Sequence, residues 1–462
     1  MRVIMLSWEY PPKIVGGLSR HVYDLSHALA AQGVYVDVIT GDHPDAPPEE
    51  LNGSLSVYRV PVPAGNDFVH WVHNLNAASE AKITELLMPK KKGARAAGAS
   101  TPVRRGKNPE SFRDDPITEP TVIHAHDWLS QFAGKALKDK LRLPLIATVH
   151  ATEHGRNHGI HNDLQRYISS VEWELCYEAW RVICCSHYMR DEISQVLEVP
   201  HDKLDVIPNG IDPSKFDLPF DRAEFRKWFA RPEEKIVFFV GRMVPEKGVQ
   251  VLIEAAPEIV GAYNDVKFVI VGGGDKTYLI GLAESLGVSD RIFFTGYIDD
   301  ETLLKLYNVI DVAVYPSLYE PFGIVALEAM AAKVPVIVTD VGGLREVVDH
   351  GISGLTAWAD NPDSLAWALV RILKNPYSAK AMANNAYRKV TDQFNWGRIA
   401  EQTSAVYDRV WCEYWESDWR QEGKSEIRSS SRDGIPRSAG KSETNPKRAM
   451  AANPKPTAKQ SD

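Results

Sequence analysis

Short apolar runs rich in β-branched residues alternate with amphipathic helical stretches in this chain, and this alternation limits the possible folds most strongly. Arg2–Leu6 is typical of a buried strand, Leu18–Gln32 of a helix that Gly33 ends, and Val34–Ile39 of a second strand. The same alternation continues to Ile207. Strands separated by helices usually pair in parallel, because the helix returns the chain to the starting edge of the sheet. The pattern therefore predicts an α/β fold of the Rossmann-like type.

The alternation starts again at Ile236–Val240, after a stretch that contains the turn signal Asn209-Gly210. A chain of 462 residues exceeds one ordinary hydrophobic core. We therefore expect two Rossmann-like domains, each of about 200 residues.

The stretch around Glu320 and Glu328 has the strongest functional signal. Asp311–Tyr315 is predicted to be a buried strand, and a helix is predicted from Ile324, directly after Gly323. The free N–H groups of Gly323, Ile324 and Val325 would suit a phosphate or a sugar hydroxyl. The two carboxylates can face one cleft at different depths, although an isolated pair of glutamates is more often a turn acid and a solvated helix residue.

The block E-P-F-G-I-V-A-L-E at 320–328 resembles the E-x7-E motif of the retaining glycosyltransferases of family 4, which have the GT-B fold and use a nucleotide-activated sugar. Three further blocks agree in the expected order: P-P-K-I-V-G-G at 11–17, H-A-H-D-W at 124–128 and V-G-R-M-V-P-E-K-G at 240–248. The joint occurrence of H-A-H-D-W and E-P-F-G is most similar to the glycogen-synthase-like branch. The resemblance covers 1–415.

The resemblance implies two facing Rossmann-like domains with a cleft between them and a C-terminal helical segment that crosses back. The predicted segments are an acceptor domain at 1–207, a linker at 208–234, a nucleotide-sugar donor domain at 235–395, a helix packing on the first domain at 396–420, and a tail at 421–462. The implied reaction moves a hexosyl unit, with glucose as the expected sugar, from a UDP- or ADP-sugar to an α-glucan or a small glycoside, with retention.

Two histidine-containing strand ends are candidates for contacts with the sugar. His126 follows the apolar run 121–123, and His150 ends the run Leu145–Val149. Ligands of open α/β sheets bind at the carboxyl ends of the strands. A histidine there is more often structural, but the resemblance places His126 against the donor sugar. His150 and Glu153 are assigned to the sugar or acceptor side.

Arg242 and Lys247 follow the first strand of the second half, so both side chains are predicted to reach the cleft. Two fixed cations can neutralise a diphosphate leaving group. Lys247 could instead be a surface lysine in a first helical turn. Because no D-x-D sequence occurs, we expect catalysis without a metal ion or other cofactor, with His126, Glu320, Arg242 and Lys247 as the catalytic residues.

Further donor contacts are implied by the resemblance. Gly16 and Gly17 precede a helix and would contact the distal phosphate. Gly272 would leave room for the nucleotide, Tyr297 would lie beside the base, and Glu328 would accept the ribose hydroxyls.

Composition excludes some classes of function. A net charge of −8 argues against nucleic acid as a partner. The four cysteines have no metal-ligand spacing and are expected to be reduced thiols, which suggests a cytoplasmic location. The sequence has no signal-peptide pattern and no apolar run of about 18 residues, so no transmembrane segment is expected.

Two polar segments are predicted to lie outside the folded domains. A basic insertion at about 89–120 and the Ser-, Pro- and Lys-rich tail contain few large apolar residues, so both are expected to be flexible. The insertion could instead bind a phosphate-bearing acceptor. Alternative functions are a nucleotide-sugar epimerase, a phosphorylase with pyridoxal phosphate, or a non-catalytic nucleotide-sugar-binding protein.

Overall fold

Two β-sheets organise the part of the chain that this computed structural model describes, residues 1–88 and 119–420. The predicted basic insertion, apart from its last two residues, and the predicted tail lie outside the described residues. Both sheets belong to one compact unit, Met1–Glu416.

The first sheet has eight strands in the order β3-β4-β2-β1-β5-β6-β7-β8, and all its pairings are parallel except β3 with β4. Its strands are β1 Arg2–Leu6, β2 Tyr35–Gly41, β3 Glu49–Asn52, β4 Leu55–Val60, β5 Thr121–His126, β6 Leu145–Val149, β7 Arg181–Cys184 and β8 Leu204–Val206. The central strands are buried on both faces, as parallel sheets require.

The second sheet is parallel throughout, in the order β11-β10-β9-β12-β13-β14. Its strands are β9 Lys235–Val240, β10 Val266–Val271, β11 Ile292–Gly296, β12 Val312–Tyr315, β13 Val336–Thr339 and β14 Leu355–Ala357. The proposed linker, 208–234, lies between the last strand of the first sheet and the first strand of the second.

Helices connect and cover the strands. They are α1 Gly17–Ala31, α2 Phe68–Leu87, α3 Gln131–Leu141, α4 Glu153–Arg156, α5 Asp163–Glu178, α6 His187–Val196, α7 Arg222–Arg226, α8 Val249–Ala262, α9 Thr277–Ser285, α10 Asp300–Tyr307, α11 Ile324–Ala331, α12 Leu344–Val347, α13 Pro362–Lys374, α14 Pro376–Gln393 and α15 Trp396–Glu416. The two sheets, one parallel throughout and one parallel except at β3, are covered by helices and confirm the predicted α/β class.

Helix α15 packs on the first sheet although it follows the second sheet in the chain. Ile399 and Val410 belong to the same buried cluster as Val3. Tyr407 reaches further, since its hydroxyl lies 2.8 Å from His124 Nδ1 beneath the sheet. The predicted crossing of the C-terminal segment is therefore present.

Strand order reverses at one place in each sheet, between β1 and β5 and between β9 and β12. Ligands of open α/β sheets bind in the crevice at such switch points, beyond the carboxyl ends of the strands. The loops after these four strands, together with the helices α1 and α11 that follow two of them, contain most of the residues predicted to bind the donor.

Candidate active site

Lys247 and Glu320, both predicted to be catalytic, form an ion pair. Lys247 Nζ lies 2.7 Å from Glu320 Oε2, and only 22% and 11% of the two side chains are exposed. Lys247 ends a short 3-10 turn after β9, and Glu320 lies between β12 and α11. The two switch-point loops of the second sheet thus bring a cation and an anion into contact.

Gly248 makes this approach of the two loops possible. Its φ is +71°, and a Cβ atom there would lie 1.8 Å from the carbonyl oxygen of Pro316. Only glycine fits both the backbone conformation and the space. The position of Lys247 therefore depends on a glycine at position 248.

Helix α11 begins beside this pair, as predicted. Gly323 has φ +106°, and its carbonyl accepts the first bond of the helix, from Ala326 N at 3.0 Å. The N–H groups of Ile324 and Val325 therefore have no intrahelical acceptor and point out of the helix N-terminus. A Cβ atom on Gly17 would lie 3.0 Å from Ile324 Cδ1, so predicted residues from both halves of the chain meet here.

Glu328 is buried and already holds two partners. Arg20 Nη1 donates to Glu328 Oε1 at 2.8 Å, and the Tyr307 hydroxyl donates to Oε2 at 2.9 Å. Arg20 also pairs with Asp300. A ribose on Glu328 must therefore displace Arg20 or share the carboxylate with it. Sequence analysis missed Arg20, whose only signal was its position one turn after Gly17.

The glycine loop before α1 already binds an anionic group. Glu9 Oε2 accepts from Val15 N at 2.6 Å and from Gly16 N at 3.2 Å. Burial raises the pKa of Glu9 to about 6. A carboxylate oxygen thus occupies the predicted phosphate contact of Gly16.

Three histidines meet at the carboxyl edge of the first sheet. His126 Nδ1 lies 3.2 Å from His150 Nε2, and the His21 ring centroid lies 4.7 Å from that of His150. The structure therefore joins two predicted residues with His21, which sequence analysis missed. His124, in contrast, is fully engaged with Thr148 and Tyr407, so it is structural.

All three imidazoles are neutral at physiological pH, because burial lowers the pKa of each, that of His150 to about 3. The Nε2 atoms of His21 and His126 are buried and have no hydrogen-bond partner within the described residues. A buried nitrogen without a hydrogen-bond partner lowers the stability of the folded protein unless a ligand forms that hydrogen bond. A sugar hydroxyl is the predicted partner of His126.

The same histidines could hold a metal ion of the zinc type. One nitrogen from each of His21, His126 and His150 lies within 4.8 Å of the others, and neutral imidazole is a zinc ligand. This arrangement was not foreseen from the sequence.

Buried acids fix the loops on the predicted acceptor side. Glu172, on α5, accepts from Glu153 N with both oxygens, at 2.9 and 3.1 Å. Burial raises the pKa of Glu172 to about 8. Asp127 accepts from His150 N at 2.8 Å, and burial raises its pKa to about 6. Sequence analysis missed Glu172 and Asp127, since amphipathic patterns give no signal for one buried acid.

The remaining predicted contacts follow the carboxyl ends of three strands of the second sheet, β9, β10 and β11. The Arg242 side chain is 61% exposed and has a long contact of 3.4 Å with Glu246. Tyr297 follows β11 and is 78% exposed. Gly272 has φ +146°, and a Cβ atom there would lie 1.7 Å from the carbonyl oxygen of Gly241. Its space is therefore filled by backbone, and its nucleotide role remains a prediction.

A cavity of about 330 Å³ lies between the two sheets. Arg20, His21, Tyr307, Ile324 and Glu328 are among its lining residues. Residues of helix α1 (Arg20 and His21) and of helix α11 (Ile324 and Glu328) therefore face the same cavity.

Within the described ranges, no helix combines the length and the apolar character needed to cross a membrane.

Comparisons with known families match almost the whole folded region. The family described as "Glycosyl transferases group 1" matches 220–389, "Glycosyltransferase Family 4" matches 99–215, and "Starch synthase catalytic domain" matches 2–90.

Similar proteins cover most of the chain and most of their own length. An uncharacterized glycosyltransferase of Methanocaldococcus jannaschii is 37% identical over 88% of this chain and 98% of its own length. The glycogen synthase of Mycobacterium tuberculosis is 35% identical over 88% of this chain and 94% of its own length. Among solved structures, the sucrose-phosphate synthase of Thermosynechococcus elongatus has a TM-score of 0.71 at 26% identity and covers 89% of this chain and 99% of its own.

Proposed function

Because the chain belongs to the glycogen-synthase-like glycosyltransferases of the GT-B fold, we propose that it transfers a glucosyl unit, with retention, from UDP- or ADP-glucose to an α-glucan. The protein is a hexosyltransferase that uses a nucleotide sugar. Its similarity to a glycogen synthase supports glucose as the sugar, since glycogen is an α-linked glucose polymer.

The contact between Lys247 and Glu320 beside the N-terminus of α11 carries the proposal. A nucleotide-sugar donor presents a diphosphate next to a neutral sugar, so its site needs a cation and a hydroxyl acceptor close together. The ion pair supplies both groups. When the donor binds, Lys247 turns to the diphosphate and Glu320 becomes free for the sugar hydroxyls.

Charge on the diphosphate grows as the glycosidic bond breaks. Lys247, Arg242 and the helix-end N–H of Ile324 are the groups that meet this charge. Stabilisation that increases towards the transition state raises turnover rather than ground-state affinity.

The sugar is held from both halves of the chain. Glu320 accepts hydroxyls near the anomeric carbon and favours the positive charge that develops there. His126 uses its unpartnered Nε2 for a further hydroxyl. The acceptor hydroxyl attacks from the face that the phosphate leaves, and the departing phosphate takes its proton. The new bond then keeps the configuration of the donor.

A panel of donors and acceptors tests the proposal. UDP-, ADP- and GDP-glucose are each incubated with glycogen, maltotriose, a small glycoside and a lipid acceptor, and the product anomer is assigned by NMR. We expect α-linked glucose on glycogen and maltotriose. An inverted product, or transfer only to the lipid, would contradict the proposal.

A matched pair of variants ties the activity to the site. Glu320→Gln keeps the size of the side chain but loses its charge, and we expect turnover to fall by about 100-fold or more, as for other electrostatic catalytic groups. Glu284→Gln, on the exposed surface of α9 in the same domain, is the control and should retain activity.

A further inference from the structure

A second cavity, of about 570 Å³, lies at the far edge of the second sheet. Its walls include two tryptophans, Trp358 and Trp367, and the carboxylates of Asp340 and Asp363. None of these residues was assigned a role in the donor site.

Both tryptophans are exposed. Trp358 is 68% exposed and Trp367 is 48% exposed. The backbone N–H of Trp358 donates to Ser364 Oγ at 3.0 Å, near the start of α13, so the main chain at Trp358 is anchored. The Arg371 guanidinium carbon lies 5.2 Å from the centroid of the Trp367 ring. Accessible aromatic rings in a groove are typical of binding sites, because an aromatic side chain has few rotatable bonds and loses little conformational entropy on binding.

The polar lining indicates which ligand would bind. Asp363 supplies an acceptor, and Asp340 supplies another beside its ion pair with Arg345, whose Nε lies 2.6 Å from Asp340 Oδ1. His350 Nδ1 lies 2.8 Å from Thr356 Oγ1. The Asp363 carboxylate disfavours a phosphate-bearing ligand, and an apolar peptide would leave both carboxylates desolvated. A saccharide satisfies both parts of the groove, since its C–H face stacks on aromatic rings and its hydroxyls donate to carboxylates.

The groove lies at the carboxyl ends of the strands of the second sheet, as the predicted donor site does. Asp340 follows β13 and Ala357 ends β14, so both lie at the carboxyl edge. The loop after Asp340 contacts the donor loop directly, with Gly343 N donating to the carbonyl of Glu320 at 3.0 Å. A long acceptor chain leaving the cleft can therefore continue over this edge.

We propose that the groove between Trp358 and Trp367 binds an α-glucan chain outside the catalytic cleft and holds a polymeric acceptor on the enzyme. The identity of the glucan rests on the proposed function, whereas the existence of a saccharide site rests on the groove itself. The consequence is a preference for long over short acceptors.

Affinity electrophoresis through gels that contain glycogen tests this site without any donor. Wild-type protein should be retarded, and Trp358→Ala and Trp367→Ala should each weaken binding about fivefold or more, in line with the loss of one stacked aromatic ring. Trp228→Ala is the matched control, because Trp228 is 77% exposed and does not line the groove. Trp367→Phe keeps an aromatic face and should have an intermediate effect.

Kinetics separate this inference from the proposed function. The loss of activity in Trp358→Ala should be larger with glycogen than with maltotriose. Transfer to maltotriose together with glycogen binding that does not depend on the tryptophans would overturn the inference alone. Tryptophan-dependent glycogen binding without transfer to any α-glucan would support the groove and contradict the proposed acceptor.

Discussion

Arg20 Nη1 lies 2.8 Å from Glu328 Oε1, so a cation from the first helix occupies the carboxylate that the sequence predicts for the donor ribose. The pair joins the two sheets across the cleft, with Tyr307 on the second oxygen of Glu328. If Glu328 accepts the ribose, nucleotide binding exchanges one set of partners of this carboxylate for another. Such an exchange would couple donor binding to the contact between the two halves of the chain.

The first prediction concerns Glu328. Glu328→Ala should weaken nucleotide binding and lower turnover, because the ribose loses its acceptor. The protein should remain folded. Calorimetric titration with UDP and ADP measures the change, and an unchanged affinity for both nucleotides would contradict the ribose role.

A companion variant tests the exchange. Arg20→Ala removes the group that competes for Glu328 and leaves the carboxylate with Tyr307. Because the Arg20 side chain is one-third exposed, we expect a modest loss of stability, about 1 kcal/mol. The same substitution in a Glu328→Ala background should cost less, which thermal unfolding of all four proteins would show.

The second prediction concerns the diphosphate. Arg242→Ala and Lys247→Ala should each remove about 2 kcal/mol or more of transition-state stabilisation, mainly through turnover. The exposed Arg242 should have no effect on thermal stability. Steady-state kinetics of each variant measure kcat and KM separately. A change confined to KM would mean that the two cations bind the ground state and the transition state equally, which would contradict the prediction.

The third prediction concerns metal ions. If side chains and helix-end N–H groups neutralise the diphosphate, activity should persist in excess EDTA. Loss of activity that Mn²⁺ or Mg²⁺ restores would overturn this mechanism. Restoration by Zn²⁺ alone would instead point to His21, His126 and His150.

The fourth prediction concerns pH. Glu172 has a pKa of about 8 in the folded protein, raised mainly by burial, against about 4.5 when unfolded. Between these values the folded state binds more protons, so Glu172 lowers stability as pH rises, by up to about 1.4 kcal/mol per pH unit. Glu172→Gln removes this dependence. The melting temperature of the Glu172→Gln variant minus that of wild type should therefore rise from pH 5 to pH 8. A difference that stays constant over this range would contradict the raised pKa of Glu172.

The fifth prediction concerns Gly248. Gly248→Ala forces a Cβ atom against the Pro316 carbonyl at φ +71°, and we expect a loss of about 2 kcal/mol or more together with lower turnover, because Lys247 moves. Gly261→Ala is the control. Gly261 lies near the end of α8, where a Cβ atom meets nothing within 4 Å, so alanine should be neutral or slightly stabilising.

The sequence by itself determined the α/β class, the family and the strand-end position of its key motifs. Periodicity and turn residues act over a few neighbours, so β12, the glycine loop and α11 could be recognised from their own residues. Glu320 and Lys247 could be assigned to one site because both follow strands of one parallel sheet.

The tertiary structure alone decided how those residues pair. Arg20 and Glu328 are 308 positions apart, and no local pattern indicates that they meet. The His21–His126–His150 group arises in the same way, from helix α1, the end of β5 and the loop after β6. Such contacts depend on how the sheets and helices pack in three dimensions. Burial and neighbouring groups, rather than residue type alone, set the charge of each side chain and its partners.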